Sequence, residues 1–406
     1  MKIVALETLQ APAYSNMVWV RLHTDEGLVG LGETFRNPQA TISYLHETCA
    51  PYLLGQDPLA IERHWHQIMY RVGNHFNGFP TRSVELRGNS AVDLALWDLA
   101  GKALQQPLYQ LLGGLTHERM RIYNTCASAT YNARARSAFN SQRIGQAGDE
   151  AGHAYDDLRL QAERPGELAE ELLGEGITGM KIWPFDNYAL ANDGHYIGAA
   201  ELQAGVAVVE AIRKTVRTRI DIMIEFHGLW RLQAALDIAR ALEPYGVFWL
   251  EDPIAMHHLD DLAEYKRSVK ARVCGSENLG TLPWYREMLT RRAVDVVHFD
   301  MAWIGGLTEG RRIAAIAHAF DRPIAPHDCT GPVTLAANAH LMLATPNTLI
   351  AETVRAFYKG FYRDIVHGLP RIEGGYLYPP VGVGLGVELN PDLLQRADTV
   401  HRVSKG

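Results

Sequence analysis

The 406-residue sequence lacks several features that would assign it to particular protein classes. Its four cysteines are far apart and form no CxxC pair, so neither a disulfide framework nor a zinc site is indicated. No apolar run approaches the roughly 20 residues that a membrane helix needs. Lys and Arg are not clustered, and the net charge of −7 argues against nucleic acid as a partner.

The first residues, MKIVALETLQ, also lack the long apolar stretch and small-residue cleavage site of a signal peptide. Their alternating apolar positions predict a strand instead. We therefore expect a soluble, cytoplasmic protein with no membrane or nucleic-acid partner, and we expect it to form a homo-oligomer.

The chain is long for a single compact core, which favours two domains or a barrel with a companion domain. Residues 2–9 and 17–24 predict two strands. Residues 89–112 predict one helix with a broad apolar face, which Gly113 and Gly114 would end. Residues 1–118 are therefore expected to form an α+β domain.

From about residue 120, short apolar runs end in polar residues and are followed by helical stretches, the signature of repeated βα units. The eight runs predict a (β/α)₈ barrel over residues 119–373: 120–124, 178–183, 221–225, 247–251, 271–277, 294–300, 324–327 and 349–352. The ends of the first three runs are more widely spaced than those of the later runs, which requires insertions between them. The polar insertion at 128–163 would form a mobile loop, a lid or a subunit contact.

Three glutamates end consecutive predicted strands at equal spacing, since 26 residues separate Glu225 from Glu251 and Glu251 from Glu277. The C-terminal strand ends of such a barrel surround one mouth, so these carboxylates would converge there and repel one another. A hard divalent cation relieves that repulsion. Oxygen-only ligands favour Mg²⁺, and we expect one per active site.

Several motifs together resemble the mandelate racemase subgroup of the enolase superfamily. They are WLEDPI at 249–254, GSEN at 275–278, HFDMAWIGGLTEG at 298–310 and APHDCTGP at 325–332. The segment at 88–114 is similar to the last helix of that family's capping domain. The resemblance implies that residues 1–118 cap the barrel mouth and that the tail, residues 374–406, returns to the cap.

The resemblance also implies roles for individual residues. Trp183 replaces the second lysine of the family's strand-two motif, so one base of the racemases is absent. His227, in EFHG, resembles the general acid of galactonate dehydratase-like enzymes. The implied metal ligands are Glu225, Glu251 and Glu277, and the implied catalytic residues are His327 with its partner Asp300, together with His227, Glu352 and Lys181.

These roles imply a Mg²⁺-dependent sugar-acid dehydratase acting on an aldonate or aldarate. His327 would remove the proton alpha to the carboxylate, while Lys181 and a protonated Glu352 would stabilise the charge that develops. His227, or His327 once protonated, would protonate the leaving C3 hydroxyl and give a 2-keto-3-deoxy acid. Two alternatives stay open: a racemase or epimerase using His227 as second base, and a non-catalytic binding or regulatory barrel.

The sequence does not name the sugar acid. We expect selectivity to come from residues of the cap and of the early strand ends. The candidates are Tyr14, Arg36, Asn74, Asn124 and Trp183.

Overall fold

The computed structural model describes residues 1–72, 84–129, 131 and 155–406. Its strands are β1 Ile3–Gln10, β2 Met17–Thr24, β3 Val29–Phe35, β4 Met120–Thr125, β5 Gly179–Ile182, β6 Asp221–Glu225, β7 Trp249–Glu251, β8 Arg272–Gly275, β9 Val296–Val297, β10 Ala351–Thr353, β11 Val366–His367, β12 Ile372–Glu373, β13 Tyr376–Leu377, β14 Glu388–Leu389 and β15 Val400–Lys405.

The α-helices of the described residues are Pro38–Tyr44, Ala50–Leu53, Ile61–Tyr70, Val84–Ala103, Leu108–Leu111, Asp157–Glu163, Pro165–Gly174, Asp186–Ala189, Ala199–Val216, Leu232–Leu242, Leu259–Ser268, Leu282–Thr290, Gly306–Ala319, Pro332–Ala344, Tyr362–Ile365 and Pro391–Gln395. Short 3₁₀ turns occupy Pro12–Tyr14 and Glu243–Tyr245, and π-helical turns occupy Leu45–Cys49 and Phe357–Phe361. Within this part of the chain, no helix combines the length and apolar character needed to cross a bilayer.

The N-terminal part forms an antiparallel sheet with the order β15-β1-β2-β3. The long helix Val84–Ala103 packs along β3 and is buried on nearly every side, because it lies between this sheet and the barrel. The single helix predicted over residues 89–112 is wrong in its last third. The helix ends at Ala103, and a separate turn, Leu108–Leu111, follows Pro107, whose ring disfavours helical backbone at the preceding residue.

The central part closes into a parallel barrel, which confirms the predicted (β/α)₈ fold class. Strands β4 to β9 pair in order, single parallel bridges join Val297 to Ile324 and Ile324 to Thr348, and β10 pairs back with β4. The strands are shorter than the predicted apolar runs. β8 ends at Gly275 and β9 at Val297, so Glu277 and Asp300 lie in the loops that follow.

The inside of the barrel holds one apolar layer of side chains. Each member comes from a different strand or strand-like run, and at β5 the equivalent place is taken by Gly179, where a Cβ would lie 2.8 Å from the Cβ of Tyr123. We call this set the apolar layer: Tyr123, Met223, Trp249, Cys274, Val296, Ala325 and Ile350. Because strand side chains alternate, the residues two positions further on also face the barrel axis, at its mouth.

The C-terminal part of the chain contacts both the barrel and the cap. β13 pairs antiparallel with β4, and β14 pairs with β11. Only the last strand, β15, reaches the N-terminal sheet, where it pairs antiparallel with β1 from Ala5 opposite Lys405 to Gln10 opposite Val400.

Three buried carboxylates join the cap to the rest of the chain, and we call them the interface carboxylates: Glu33, Asp93 and Asp98. Glu33 accepts hydrogen bonds from the backbone N–H and hydroxyl of Thr334, each at 3.0 Å. Asp93 accepts the same pair of bonds from Thr308, and Asp98 accepts one from the N–H of Leu385. Burial raises the pKa of Glu33 and Asp93 to about 7 and that of Asp98 to about 6.

Candidate active site

A ring of polar side chains lies directly above the apolar layer. Each member is two residues beyond an inward-facing residue of its strand, so strand alternation alone aims it at the barrel mouth. All are buried. We call this set the mouth ring: Thr125, Lys181, Glu225, Glu251, His298, His327 and Glu352.

Lys181 lies at the centre of the mouth ring. Its Nζ is 2.5 Å from Oε1 of Glu251, 2.8 Å from Oε1 of Glu352 and 3.6 Å from Oε2 of Glu225. Burial alone would lower the pKa of Lys181, but Glu251 and Glu352 outweigh it and hold the pKa well above its ordinary value. Lys181 is therefore a permanent buried cation at the floor of the site.

Glu225 has the least compensated carboxylate of the ring. Its Oε1 accepts hydrogen bonds from the backbone N–H groups of Phe226 and His227, whereas its Oε2 is buried and has no hydrogen-bond partner within the described part of the chain. Burial and then the neighbouring Glu251 raise the pKa of Glu225 well above its usual range. Two buried carboxylates side by side, one with an orphaned oxygen, fit a site for a hard cation.

The third predicted ligand, Glu277, is turned away from the other two. Its Oε2 lies 2.8 Å from Nε2 of His327, and the three glutamates do not form one compact set of ligand atoms. Burial would raise the pKa of Glu277, but His327 keeps it well below its ordinary value. The pairing neutralises the buried charge of Glu277.

A second cluster that could hold a metal groups Glu251, Cys274 and His298, with donor atoms within 4.8 Å of one another. Burial raises the pKa of Cys274 well above its usual value, which keeps the side chain a neutral thiol. A thiol is a poor ligand for Mg²⁺, and Nε2 of His298 already lies 3.2 Å from Glu251. Carboxylate oxygens alone, as Glu225, Glu251 and Glu277 offer, suit a hard cation better than this mixed set.

His327 and Asp300, which the sequence predicts as partners, are in contact. Nδ1 of His327 lies 2.6 Å from Oδ2 of Asp300, and that oxygen also accepts the hydroxyl of Thr330 at 2.7 Å. The backbone N–H of Ala302 donates to the other oxygen. Asp300 is thus fixed on both sides, so Nε2 is the ring nitrogen that His327 presents to the cavity.

His227 has a partner that sequence reasoning missed. Its Nδ1 lies 2.6 Å from Oδ2 of Asp186, and the Trp183 ring packs edge-on against the imidazole with centroids 5.8 Å apart. Burial would lower the pKa of His227, but Asp186 raises it overall. Asp186 follows strand β5 by four residues and begins the one-turn helix Asp186–Ala189, which is too short for strand alternation or a helical period to indicate a role.

Glu352 does not have the surroundings of a protonated acid. Its Oε1 contacts Lys181 and the Thr125 hydroxyl, and its Oε2 accepts the N–H of Asp328 at 3.1 Å. Burial would raise the pKa of Glu352, but Lys181 and then His327 bring it below its ordinary value. These surroundings favour an ionised Glu352, because a cation lies beside it; a proton-bearing Glu352 that donates to the substrate stays a prediction.

A cavity of about 160 Å³ lies above the mouth ring, a size suited to one small molecule. Its polar wall includes Lys181, His227, Glu277 and His327. Its remaining lining includes two of the predicted selectivity residues, Arg36 and Trp183, and six that were not predicted: Phe35, Thr125, Tyr131, Asn278, Trp303 and Cys329.

Two predicted selectivity residues lie outside this lining. The Asn124 amide donates to Asp157 and accepts the N–H of Arg355, because its side chain faces away from the barrel axis and Thr125 takes the inward place. Tyr14 stacks on Phe361 with ring centroids 5.7 Å apart. Asn74 lies outside the described residues, as does most of the insertion at 128–163.

His298 is the other member of the ring that sequence reasoning missed. Its Nδ1 contacts the carbonyl of Ala325, and its Nε2 lies 3.2 Å from Glu251 and 3.7 Å from Glu352. The signal was available: His298 is two residues before Asp300 and two residues after Val296, on the same face of its strand.

Known protein families match both parts of the chain. The mandelate racemase / muconate lactonizing enzyme N-terminal domain matches residues 3–113, and the enolase C-terminal domain-like family matches residues 165–393. The chain belongs to the mandelate racemase / muconate lactonizing enzyme family of the enolase superfamily. This confirms the resemblance that the motifs predicted.

Relatives of this family member extend over almost its whole length. It is 31% identical to a D-galactonate dehydratase family member of Streptomyces bingchenggensis, covering 97% of this chain and 92% of that one. It is 29% identical to a D-gluconate dehydratase of Thermoproteus tenax, covering 94% and 70%. A solved enolase of the mandelate racemase subgroup from Agrobacterium tumefaciens is 42% identical, with a TM-score of 0.87, covering 100% and 99%.

Proposed function

We propose that this chain is a Mg²⁺-dependent dehydratase of a sugar acid, an aldonate or an aldarate. One observation carries the proposal: His227 and His327 line the same cavity, and each is hydrogen-bonded through Nδ1 to a buried aspartate. Dehydration needs a base for the proton at C2 and an acid for the hydroxyl at C3. Two oriented histidines supply both.

His327 is the proposed base. Asp300 takes the hydrogen bond of Nδ1–H, which leaves Nε2 as the ring nitrogen that exchanges a proton with the cavity. Burial would lower the pKa of His327, but Glu277 raises it well above its ordinary value, so Nε2 carries a proton while it contacts Glu277. In this structure Nε2 contacts Glu277, a member of the proposed cation site. Nε2 becomes available to the C2 proton of the substrate when Glu277 serves as a ligand.

Lys181 is the proposed electrostatic partner of the substrate carboxylate. Proton removal from C2 adds a second negative charge to a group that is already anionic, and a buried cation is worth more there than in water. Glu352 and Glu251 hold the Lys181 ammonium in place. In the proposal, Glu352 therefore contributes by holding Lys181 in position.

Glu225, Glu251 and Glu277 would hold the divalent cation. Bound there, Mg²⁺ would act as a Lewis acid that takes up negative charge on the substrate carboxylate. The orphaned Oε2 of Glu225 supports this assignment, because a buried carboxylate oxygen without a partner is costly.

His227 is the proposed acid. When the C2–H bond breaks, the C2 proton passes to His327. When the C3–O bond breaks, the hydroxyl oxygen leaves with the bonding electron pair and takes a proton from His227. Water and an enol result, and the enol relaxes to a 2-keto-3-deoxy acid. Solvent exchange returns both histidines to their starting forms.

The substrate class is supported by the relatives and by the cavity wall. The relatives named D-galactonate and D-gluconate dehydratases align with nearly the whole chain. Aromatic rings of Phe35, Trp183 and Trp303 line the cavity beside Arg36, which makes no ion pair with any described residue. Rings and a guanidinium suit a chain of hydroxyl-bearing carbons.

A racemase or epimerase is the second candidate, because the pairing of His227 with Asp186 has the same form as that of His327 with Asp300. Such a pair could serve as a second base. Inversion at C2 without release of a keto acid would favour this candidate over the dehydratase.

The test is to incubate the Mg²⁺-loaded protein with a panel of aldonic and aldaric acids and to measure 2-keto acid formation. The dehydratase proposal expects product from at least one of them. Absence of keto acid from the entire panel, with C2 inversion detected by NMR, would replace it. Homo-oligomeric assembly and a cytoplasmic location stay predictions from the sequence.

A further inference from the structure

Asp186 is a buried carboxylate whose hydrogen bonding goes to one side chain. It is 1% exposed, its Oδ2 lies 2.6 Å from Nδ1 of His227, and its Oδ1 has no hydrogen-bond partner among the described residues. Asp186 begins the four-residue helix Asp186–Ala189 but forms no side-chain cap there. A carboxylate buried for local structure would be expected to bond to backbone N–H groups, as the interface carboxylates do.

The loop that carries Asp186 is held rigidly against the next strand end. The preceding residue, Phe185, is fully buried and stacks on Phe226 with ring centroids 6.1 Å apart. The Phe185 ring fills the space beside Gly205, where an added Cβ would lie 2.2 Å from Cε1 of Phe185. Packing on both faces of this ring therefore sets where the Asp186 carboxylate points.

His227 is held from three directions. Its backbone N–H donates to Glu225, the Trp183 ring packs against its edge, and Asp186 engages Nδ1. The backbone of His227 is left-handed, with φ of 49°, a conformation that a non-glycine residue adopts only where surrounding contacts impose it. The imidazole therefore has one orientation, with Nε2 as the nitrogen left for a molecule in the cavity.

We propose that Asp186 is the positioning residue for His227: it fixes the Nδ1–H form of the ring and directs Nε2–H at the leaving C3 hydroxyl. The inference rests on the proposed dehydratase function and deepens it. It gives each proton transfer its own aspartate, Asp300 for removal of the C2 proton and Asp186 for protonation of the departing hydroxyl. It also explains how the strand-two loop contributes although Trp183 stands where a lysine base would be.

The two aspartates make matched variants possible. In Asp186→Asn the side-chain volume is kept, but the amide N–H can donate to Nδ1. The ring then stays neutral with its one proton on Nε2 and is a weaker acid; replacing the aspartate of a serine-protease triad by asparagine likewise leaves the histidine in the wrong tautomer. Elimination should then fall by about 100-fold or more, the usual contribution of a general acid. Asp300→Asn should instead suppress removal of the C2 proton itself.

The decisive readout is a ratio measured within each variant: deuterium entering unreacted substrate at C2, divided by 2-keto acid formed, in deuterium oxide. The ratio does not depend on how much of a preparation is folded. Asp186→Asn should raise it by about tenfold or more over wild type, and Asp300→Asn should lose both exchange and product. Asp186→Glu, which keeps the carboxylate, should restore part of the product formation.

An unchanged ratio in Asp186→Asn, or equal loss of exchange and product, would overturn the inference, since a purely structural role slows both events together. If Asp186→Asn does not fold, judged by thermal unfolding, Asp186→Ser is measured for the same ratio. Failure of the dehydratase proposal is separate: wild type itself would then form no keto acid from any sugar acid, and this inference would fall with it.

Discussion

Two groups of buried carboxylates in this chain have opposite surroundings. Among the interface carboxylates, Glu33 and Asp93 accept hydrogen bonds from neutral donors, whereas Asp98 also lies 2.7 Å from the ammonium of Lys102; burial raises the pKa of all three. Glu251, Glu277 and Glu352 in the barrel mouth lie beside Lys181 or His327, which lower their pKa. Burial is common to both groups, and a neighbouring cation opposes its effect: Lys181 and His327 outweigh burial at Glu251, Glu277 and Glu352, whereas Lys102 does not outweigh it at Asp98.

Glu225 combines features of the two groups. Like the interface carboxylates it has a raised pKa, yet it belongs to the mouth, and its Oε2 makes no hydrogen bond with a described residue. The comparison therefore predicts that a cation matters for the mouth and not for the interface.

The largest expected effect is loss of the cation. Treatment with EDTA should abolish dehydratase activity, because the mouth glutamates would repel one another and Glu277 would stay on His327. Added Mg²⁺ should restore activity, while thermal unfolding should still show a folded protein. Full activity in a thoroughly metal-stripped preparation would remove the metal assignment and with it the contrast between the two groups.

Glu251→Gln should come next in size. The cation loses a charged ligand while the side-chain volume is nearly preserved. Mg²⁺ affinity, measured by calorimetry, should therefore drop by about 100-fold or more, at least the loss caused by mutating a residue that only hydrogen-bonds to a metal ligand. The fold should be little changed. Glu33→Gln is the matched control and should keep wild-type metal affinity. Global unfolding of Glu251→Gln would point to a structural role instead.

The smallest effect concerns pH and the interface. The folded-state pKa of Glu33, about 7, is above its value in an unfolded chain, so the folded state binds more protons between about pH 4 and 7. The contribution of Glu33 to the free energy of unfolding is therefore present at low pH. It falls by ~3 kcal/mol as the pH rises through 7.

Glu33→Gln should therefore flatten the dependence of the free energy of unfolding on pH in that window, as measured by urea titrations at several pH values. Glu373→Gln, at an exposed carboxylate paired with Arg371, should leave the slope unchanged. If wild type and Glu33→Gln show the same slope, Glu33 is ionised throughout and the contrast with the mouth does not hold.

Much of this arrangement could be predicted from the sequence. The regular recurrence of strand ends indicated the barrel, and alternation along a strand accounts for why Lys181, Glu225, Glu251, His327 and Glu352 share one ring. Counting two residues onward along the chain from Tyr123 and from Val296 would also have selected Thr125 instead of Asn124 and would have found His298.

Other parts depend on contacts that have no sequence period. Asp186 lies in a loop whose position is set by Phe185 against Phe226 and Gly205. Pro107 indicated that the cap helix ends before it, but the apolar pattern over residues 89–112 favoured one continuous helix. The protonation of Glu352 depends on how close Lys181 comes, which only the folded chain determines.

The central claim is that His327 and His227 act on different atoms, and the most direct measurement is C2-proton exchange in deuterium oxide for their asparagine variants. His327→Asn should show neither exchange nor product, because in this account His327 is the base that removes the C2 proton. His227→Asn should still remove that proton and wash deuterium into unreacted substrate, provided His327 exchanges with solvent faster than the intermediate collapses, yet form little keto acid. Exchange at the wild-type rate in His327→Asn would contradict the account, because His327 would then not be the base.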